Sequence, residues 1–483
     1  MQHQRFGNGP VPTRSRRASI AGPVLALLAL GGCASFSPDG GFDAVQKLAS
    51  DRLGSPAQLS WARQPGDQAR ITDRVSELLA QPLGMDEAVQ VALLNNRGLQ
   101  AAYAGLGIAE AEVVAAGRLP NPGFSFGRVT QGDEIELERG FHLNLARLLA
   151  LPLVHKAEAR RFEQMQLSVA TQVLSLAAET RKAWVQAVAA EESVRYSLQV
   201  MRAAEASAEL ARRMARVGNF NRLQQAREQG FYADAALNLV RAQQHQRATR
   251  ERLTRLMGVW GDQTQYRLPE RLPDLPDQPK DLPDVERIAL AQRLDIEAAR
   301  KGAEATARNL GLTRTTRFVN VLEVGVMRNS SNEAPTQRGW EVGLELPLFD
   351  WGEARIARAE GLYMQALHRA AEAAVQARSE AREAYGAYRA AWDIARHQRD
   401  EIVPLRARIA EENLLRYNAM LIGVFELLAD ARSQIASVSA AIDALRDFWL
   451  AKLDLDLALV GKPSLTVAVS PSVAEAEGPG AGH

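Results

Sequence analysis

Cysteine occurs once in the 483 residues, at Cys33. A single thiol excludes intrachain disulfides, cysteine-based zinc sites and a paired-cysteine redox centre. Histidine is also scarce: seven are scattered along the chain without an HExxH pairing, so a zincin is excluded. No Gly-rich phosphate loop, metal cluster or nucleophile elbow is present. Carboxylate pairs such as Glu411-Glu412, or Asp454 with Asp456, read as solvated helix faces rather than catalytic pairs. Nothing points to an enzyme or to a cofactor. After the N-terminal segment no stretch reaches the roughly 18 uninterrupted apolar residues of a membrane-crossing helix. A transmembrane β-barrel stays open, because its strands are short and alternate apolar with polar residues. An excess of basic charge is missing too. Lys and Arg number 58 and Asp and Glu 57, a net charge of +1. Nucleic-acid-binding proteins are normally more basic, so nucleic acid is not expected as a partner. The apolar fraction of 46% and charged fraction of 24% are ordinary for a folded protein. The length, about three times a domain of roughly 150 residues, leaves room for several modules.

The start of the chain reads as an address. Residues 1–17 are basic and turn-rich, and residues 18–32 are apolar and small, the layout of a secretory signal peptide. Without residues 1–32 the chain has 54 basic and 57 acidic residues, a net charge of −3. The segment ends in Leu30-Gly31-Gly32-Cys33, which resembles the bacterial lipobox. That resemblance implies that the Cys33 thiol is diacylated and that Cys33 becomes the mature N-terminus. The competing reading, a chance buried cysteine, fits poorly with the only Cys closing the apolar run. Ala34 follows rather than Asp, which in lipoproteins of this type favours passage to the outer membrane.

Two halves of the chain rhyme. Ala92-Leu93, Leu99, Ala101-Ala102 and Gly105 recur as Ala289-Leu290, Ile296, Ala298-Ala299 and Gly302, at an offset of 197. Leu151-Pro152-Leu153 recurs as Leu346-Pro347-Leu348, and Gly258 as Gly461. Such constancy of order and spacing marks an internal repeat. The expected organisation is a signal peptide over 1–32, a lipidated N-terminal segment over 33–82, repeats over 83–260 and 281–461, a Pro-rich linker over 261–280 and a disordered tail over 462–483. The prolines of RLPERLPDLPDQPKDLPD (267–284) forbid a regular helix there.

Each repeat opens with an Ala-rich helical stretch, 85–117 and then 284–312. Alternation follows. Ile135, Leu137, Phe141, Leu143 and Leu145 oppose Glu134, Glu136, His142 and Asn144; Trp340, Val342, Leu344, Leu346 and Leu348 oppose Glu341, Gly343 and Glu345. Period two predicts strands over 134–146 and 340–348, paired with 122–130 and 318–328 as two hairpins. Very long helix comes next. Residues 153–268 lack Pro, and 352–462 contain only Pro404. Over 424–452 a heptad seam runs through Leu428, Ile435, Ile442 and Trp449, and through Val424, Ala431, Val438 and Leu445. Each helical run is interrupted once, at Val217-Gly218-Asn219 and at Tyr417-Asn418-Ala419-Met420 with Gly423. From Pro152 to Gly218 is 66 residues, or roughly 100 Å of helix.

Four strands cannot close a barrel, but three copies supply twelve. Phe124, Phe126, Phe141 and Trp340, with Phe349 and Trp351, lie near strand ends and suit the aromatic girdles of a membrane barrel. They equally suit the core of a soluble sheet; the lipobox and the long helices favour the barrel. At this point the chain resembles an outer membrane factor of the TolC family, in its lipoprotein branch. The resemblance is carried by AVQVALLNNRGLQAAYAGLGIAEAEVVAAGRLPNPGFSFG and IALAQRLDIEAARKGAEATARN at the repeat openings. LELPLFDWGEARIARAE, at the strand-to-helix passage, and EIVPLRARIAEENLLRYNAMLIGVFELLADAR, around the second tip, carry the rest. It covers about 83–461. One departure stands out: the family usually has Gly where this chain has Met420.

The resemblance implies a mainly α fold with a small β part: two repeats of coiled-coil helical hairpins plus two β-hairpins. These trimerise into a 12-stranded outer-membrane β-barrel with transmembrane β-strands and a periplasmic α-helical barrel. It implies a homotrimeric passive export duct, seated in outer-membrane lipid. A periplasmic adaptor (membrane fusion) protein and an inner-membrane pump dock to it, in tripartite efflux or type I secretion. The tips Val217, Gly218, Asn219, Tyr417, Met420 and Gly423 are then the adaptor contacts. Matching the second tip places Glu426, with Asp430 one turn on, at an acidic periplasmic constriction; Gln224 and Arg227 hold the matching turn of the first hairpin. The competing readings are a surface carboxylate pair for Glu426 and Asp430 and, for the whole chain, a non-pore structural coiled-coil lipoprotein. The alternating segments discriminate, since a pure scaffold has no use for them.

Overall fold

The computed structural model describes residues 35–53, 58–316, 322–344, 349 and 351–462. Cys33, the signal segment, the Leu346-Pro347-Leu348 recurrence and nearly all of the expected tail lie outside the described residues. The described residues divide into two compact units, one within 112–156 and 322–351, the other within 37–111, 157–316 and 352–462.

The first unit is built on a four-stranded antiparallel sheet in the order β1-β2-β3-β4. The strands are β1 (Gly123–Gln131), β2 (Glu134–Asn144), β3 (Leu322–Ser331) and β4 (Gln337–Leu344). Two hairpins are present as expected, with shifted bounds. The central β2–β3 pairing joins the repeats, from Glu136 opposite Ser331 to Asn144 opposite Glu323.

The second unit is helical. Its N-terminal part supplies α1 (Phe42–Leu53) and α2 (Pro65–Leu79), two helices within the expected N-terminal segment. The repeat openings are each split in two, as α3 (Met85–Asn95) with α4 (Arg97–Ala116), and α7 (Val285–Gln292) with α8 (Leu294–Thr316). The single stretches 85–117 and 284–312 are corrected accordingly. The breaks at Asn96 and Arg293 fall 197 residues apart, the repeat offset. Both residues leave the helical region, with ψ of 118° and 124°.

Long helices follow: α5 (Leu145–Arg216), α6 (Arg222–Met257), α9 (Glu353–His397), α10 (Val403–Asn418) and α11 (Val424–Val460). At 72 residues α5 spans roughly 110 Å. It starts before Pro152, so the expected strand through 146 and helix from 153 are both corrected. The Asn144 side chain accepts the Arg147 N–H at 2.8 Å, a cap that starts the helix early. Pro152 then removes one backbone donor from a helix long enough to tolerate it. Between α9 and α10 a π-helical turn, Gln398–Ile402, precedes Pro404 and relieves the clash its ring would make with the preceding turn.

Alanine explains how these helices approach one another. Ala177, Ala183, Ala187, Ala189 and Ala190 on α5, and Ala377, Ala381 and Ala384 on α9, are all buried. Small faces let helix axes close toward 8 Å. Helices α5 and α6 are zipped antiparallel by Glu191–Arg250 at 3.1 Å and Glu179–Arg252 at 2.7 Å. In the second hairpin Tyr388 of α9 meets Phe448 of α11 at 5.7 Å between ring centres. The larger core gathers Val75, Leu83, Trp184, Val188, Leu253, Met257, Leu272 and Leu453. The Pro-rich segment is strapped onto the helices: Trp449 and Trp392 donate their indole N–H groups to the Pro273 and Pro276 carbonyls at 3.0 and 2.9 Å.

The heptad seam on α11 is not the face buried deepest within one chain. Its buried face runs one position over, through Ser437, Ala444, Phe448 and Leu455, because α9 covers that side. Leu428, Ala431, Ile435, Val438 and Ile442 are only partly buried.

Candidate functional site

The sheet sorts its side chains by chemistry. In an antiparallel sheet, directly paired residues share a face. One face carries Phe124 opposite Phe141, Phe141 opposite Val326, and Val326 opposite Trp340. Leu143, Val324 and Val342, and then Leu322 and Leu344, continue it. Phe124, Phe126, Phe141 and Trp340 all lie on this face and all are exposed, Trp340 at 75%. The opposite face holds Glu134, Glu136, Glu138, Glu323 and Glu341 with His142, Gly127, Gly140, Gly325, Gly339 and Gly343. Every strand glutamate is therefore on the Gly-rich face. Strands β1 and β4 are the two edges, and neither pairs further among the described residues. A sheet with an exposed apolar face and two open edges is incomplete by itself.

The helix tips form the second candidate site, and their geometry repeats. At the first, Gly218 has φ +80°, its N–H bonds the Ala215 carbonyl at 3.2 Å, and the Asn219 N–H bonds the Met214 carbonyl at 2.9 Å. At the second, Met420 has φ +62°, its N–H bonds the Tyr417 carbonyl at 2.9 Å, and the Leu421 N–H bonds the Arg416 carbonyl at 2.9 Å. Both are Schellman closures with a left-handed residue just past the helix. Met420 is the only described non-glycine residue with positive φ, so it occupies the glycine position of this turn. Asn221 then starts α6 through a capping box with Gln224, whereas Gly423 starts α11 with no side-chain cap. Val217, Leu223, Met420 and Leu421 are exposed around the two tips, Met420 at 93%.

A left-handed conformation costs an L-residue about 1–2 kcal/mol, and glycine flexibility returns part of that. Met420→Gly is therefore expected to stabilise the second tip by about 0.5–1 kcal/mol. Gly218→Val is expected to destabilise the first by roughly 1–2 kcal/mol. Hydrogen exchange of the Ala215–Asn219 and Tyr417–Leu421 amides would show opposite changes; equal changes would contradict the shared geometry.

Glu426 is exposed in the first turn of α11. Asp430, one turn on, is partly buried and accepts a hydrogen bond from the Asn413 side chain on α10. The two carboxylates thus have different surroundings despite their helical spacing. On the first hairpin Gln224 is committed to the capping box. Sequence reasoning missed one tip-proximal element. Glu228 on α6, 2% exposed, accepts from Ser207 of α5 at 2.8 Å and from Arg432 of α11 at 2.7 Å. The Arg432 guanidinium also stacks over Phe231 at 4.4 Å. No sequence signal could have paired residues 204 apart.

Higher on the same helices, Lys182 of α5 is salt-bridged to Asp454 of α11. Burial raises the Asp454 pKa and outweighs the lowering effect of Lys182. Among the described residues no helix is long and apolar enough to cross a membrane, and no cluster of three or more His, Cys, Asp or Glu is placed to hold a metal ion.

No protein-family model and no curated protein matches the sequence. Solved structures do match in fold. The outer membrane channel CmeC of Campylobacter jejuni aligns with a TM-score of 0.68 at 16% identity, over 86% of this chain and 91% of that one. The MtrE outer membrane channel of Neisseria gonorrhoeae aligns at 0.66 and 18%, over 78% and 89%. The outer membrane protein VceC of Vibrio cholerae aligns at 0.62 and 16%, over 84% and 99%. The chain therefore has the fold of these outer-membrane proteins, the fold that the TolC-family resemblance implied.

Proposed function

We propose that this chain is an outer membrane factor: one protomer of a homotrimeric channel-tunnel that serves as a passive export duct. The observation that carries the reading is the two-faced, open-edged sheet. Three copies would join β4 of each to β1 of the next and bury every edge in a twelve-stranded barrel. The apolar, aromatic face then meets lipid, and the face with Glu134, Glu136, Glu138, Glu323 and Glu341 lines a wet lumen. The partly buried seam of α11 supports packing against a further copy. A non-pore scaffold would leave the sheet without a purpose.

In the same reading residues 1–32 direct export, acylated Cys33 anchors the protein at the outer membrane, and repeats 83–260 and 281–461 build the duct. The apolar tips around Val217, Leu223, Met420 and Leu421 offer the adaptor its docking surface, and the pump supplies energy. Glu426, with Asp430 behind it, narrows the entrance. Native mass spectrometry in detergent tests the assembly, with three copies expected; a stable monomer with the same β content would refute it. Planar-bilayer recordings test the duct and the constriction. Wild type should conduct with cation preference, and Glu426→Ala with Asp430→Ala should widen conductance and weaken that preference. Unchanged conductance with retained preference would assign selectivity to the strand glutamates instead.

A further inference from the structure

The apolar face of the sheet ends at a row of arginines. Arg139 of β2 is paired directly with Arg328 of β3, and Arg328 directly with Arg338 of β4. Three guanidinium side chains thus stand side by side across neighbouring strands, about 4.8 Å apart at the backbone. Phe126 completes the row on β1, and Arg128 lies two residues beyond it on the same face. Like charges directly opposite one another destabilise a sheet unless something neutralises them.

The described chain does not supply that charge. All of the strand glutamates project from the other face. No ion pair to Arg128, Arg139, Arg328 or Arg338 is found among the described residues, whereas in the helical unit arginines such as Arg52, Arg250, Arg252, Arg293 and Arg432 are paired with carboxylates. Turn residue Asp133 lies six positions from Arg139, about 20 Å of strand. Joining further copies edge to edge adds only more of the same face.

Position along the strands points to the missing partner. Toward Asn144, where β2 runs into α5, the rows next to the arginines are apolar: Phe124, Phe141, Val326 and Trp340, then Leu143, Val324 and Val342, then Leu322 and Leu344. Toward the hairpin turns the face becomes mixed, with Leu137, Ser330, Thr130 and Ile135. An arginine on the lipid face of a barrel is strongly disfavoured at the bilayer midplane and nearly free at the interface. Three in one row mark the edge of the hydrocarbon, beside aromatic rings of the kind that sit at headgroup level. The strand ends opposite the turns are those that lead along the chain into the helices, so in the membrane-barrel reading the turn side belongs to the outer leaflet.

We propose that Arg139, Arg328 and Arg338 form a binding row for the phosphate groups of a phosphorylated lipid in the outer leaflet. Guanidinium forks match phosphate oxygens bidentately, and the adjoining Phe126 and Trp340 accept the start of the acyl chains. The inference rests on the membrane-barrel reading above.

The test uses the purified full-length protein and three probes: bis-phosphorylated lipid A, the same glycolipid with its phosphates removed, and inorganic phosphate. Binding is followed by native mass spectrometry. Wild type should bind lipid A at least about tenfold more tightly than the dephosphorylated form. The combined variant Arg139→Gln, Arg328→Gln, Arg338→Gln should lose roughly a hundredfold, taking about fivefold for each arginine. Inorganic phosphate at equal concentration should leave lipid A binding unchanged. Equal binding of the two glycolipids, unchanged affinity in the variant, or displacement by inorganic phosphate would each overturn the proposal. Should the glutamine variant fail to assemble, the corresponding triple lysine variant decides: several-fold weaker binding supports the forked contact, and wild-type affinity overturns it. Flotation with phosphatidylcholine vesicles separates the two levels of the reading. Wild type that floats without preferring lipid A overturns the arginine row alone. Wild type that floats with no vesicle overturns the membrane barrel and the row together.

Discussion

Arg293→Ala is expected to destabilise the helical unit by about 3–5 kcal/mol. The Arg293 side chain is 1% exposed and sits at the break between α7 and α8. It makes a fork with Asp295, at 3.0 and 2.7 Å, and reaches Glu380 of α9 at 2.7 Å. Burial works to lower its pKa, and the hydrogen bonds and charges of Asp295 and Glu380 outweigh that, so the net direction is up and the guanidinium stays charged. Alanine would leave two largely buried carboxylates, 23% and 16% exposed, without their counter-ion, and that uncompensated charge is the source of the loss. Denaturant unfolding followed by circular dichroism would measure it. Replacing the whole cluster, with Arg293→Met, Asp295→Leu and Glu380→Leu, should recover most of the stability, because a well-packed apolar triad needs no desolvated charge. A single alanine variant as stable as wild type would show that the cluster is solvated.

Arg432→Ala should have the next largest effect, about 2–4 kcal/mol and confined to the tip-proximal helices. Glu228 would keep only Ser207 as a partner while remaining buried. The figure is set below that for Arg293 because the Arg432 side chain is 35% exposed, and water screens part of the loss. The substitution also removes the guanidinium from Phe231, a contact that adds a smaller amount. Hydrogen exchange should quicken along α6 around Glu228 and along α11 around Arg432. Amides near Trp184, held in a separate core, should keep their protection. The paired variant Glu228→Gln, Arg432→Gln should restore part of the protection, since no charge is then stranded. Uniform loss of protection along the helices would instead make Arg432 a determinant of the whole unit.

Periodicity determined the type of the strands and of the long helices. Alternation over 134–144 and 340–344 marked strand, and the Pro-poor runs over 153–268 and 352–462 marked long helix. The tips were legible because a left-handed closure leaves a local mark, Gly218 in one hairpin and the Tyr417–Gly423 segment in the other. Parity along the strands also held the two-faced sheet. Local patterns do not set where an element ends when a neighbour competes for the same residues. The Asn144 cap moved the start of α5 ahead of Pro152, and α9 chose which side of α11 to bury. Nor could sequence bring together partners remote along the chain. Glu228 with Arg432, Arg293 with Glu380 and the arginine row across β2, β3 and β4 exist only because strand register and helix packing fix those distances. The residue types follow from local chemistry, whereas the pairings follow from tertiary geometry, where burial turns an ordinary surface charge into one that must find a partner.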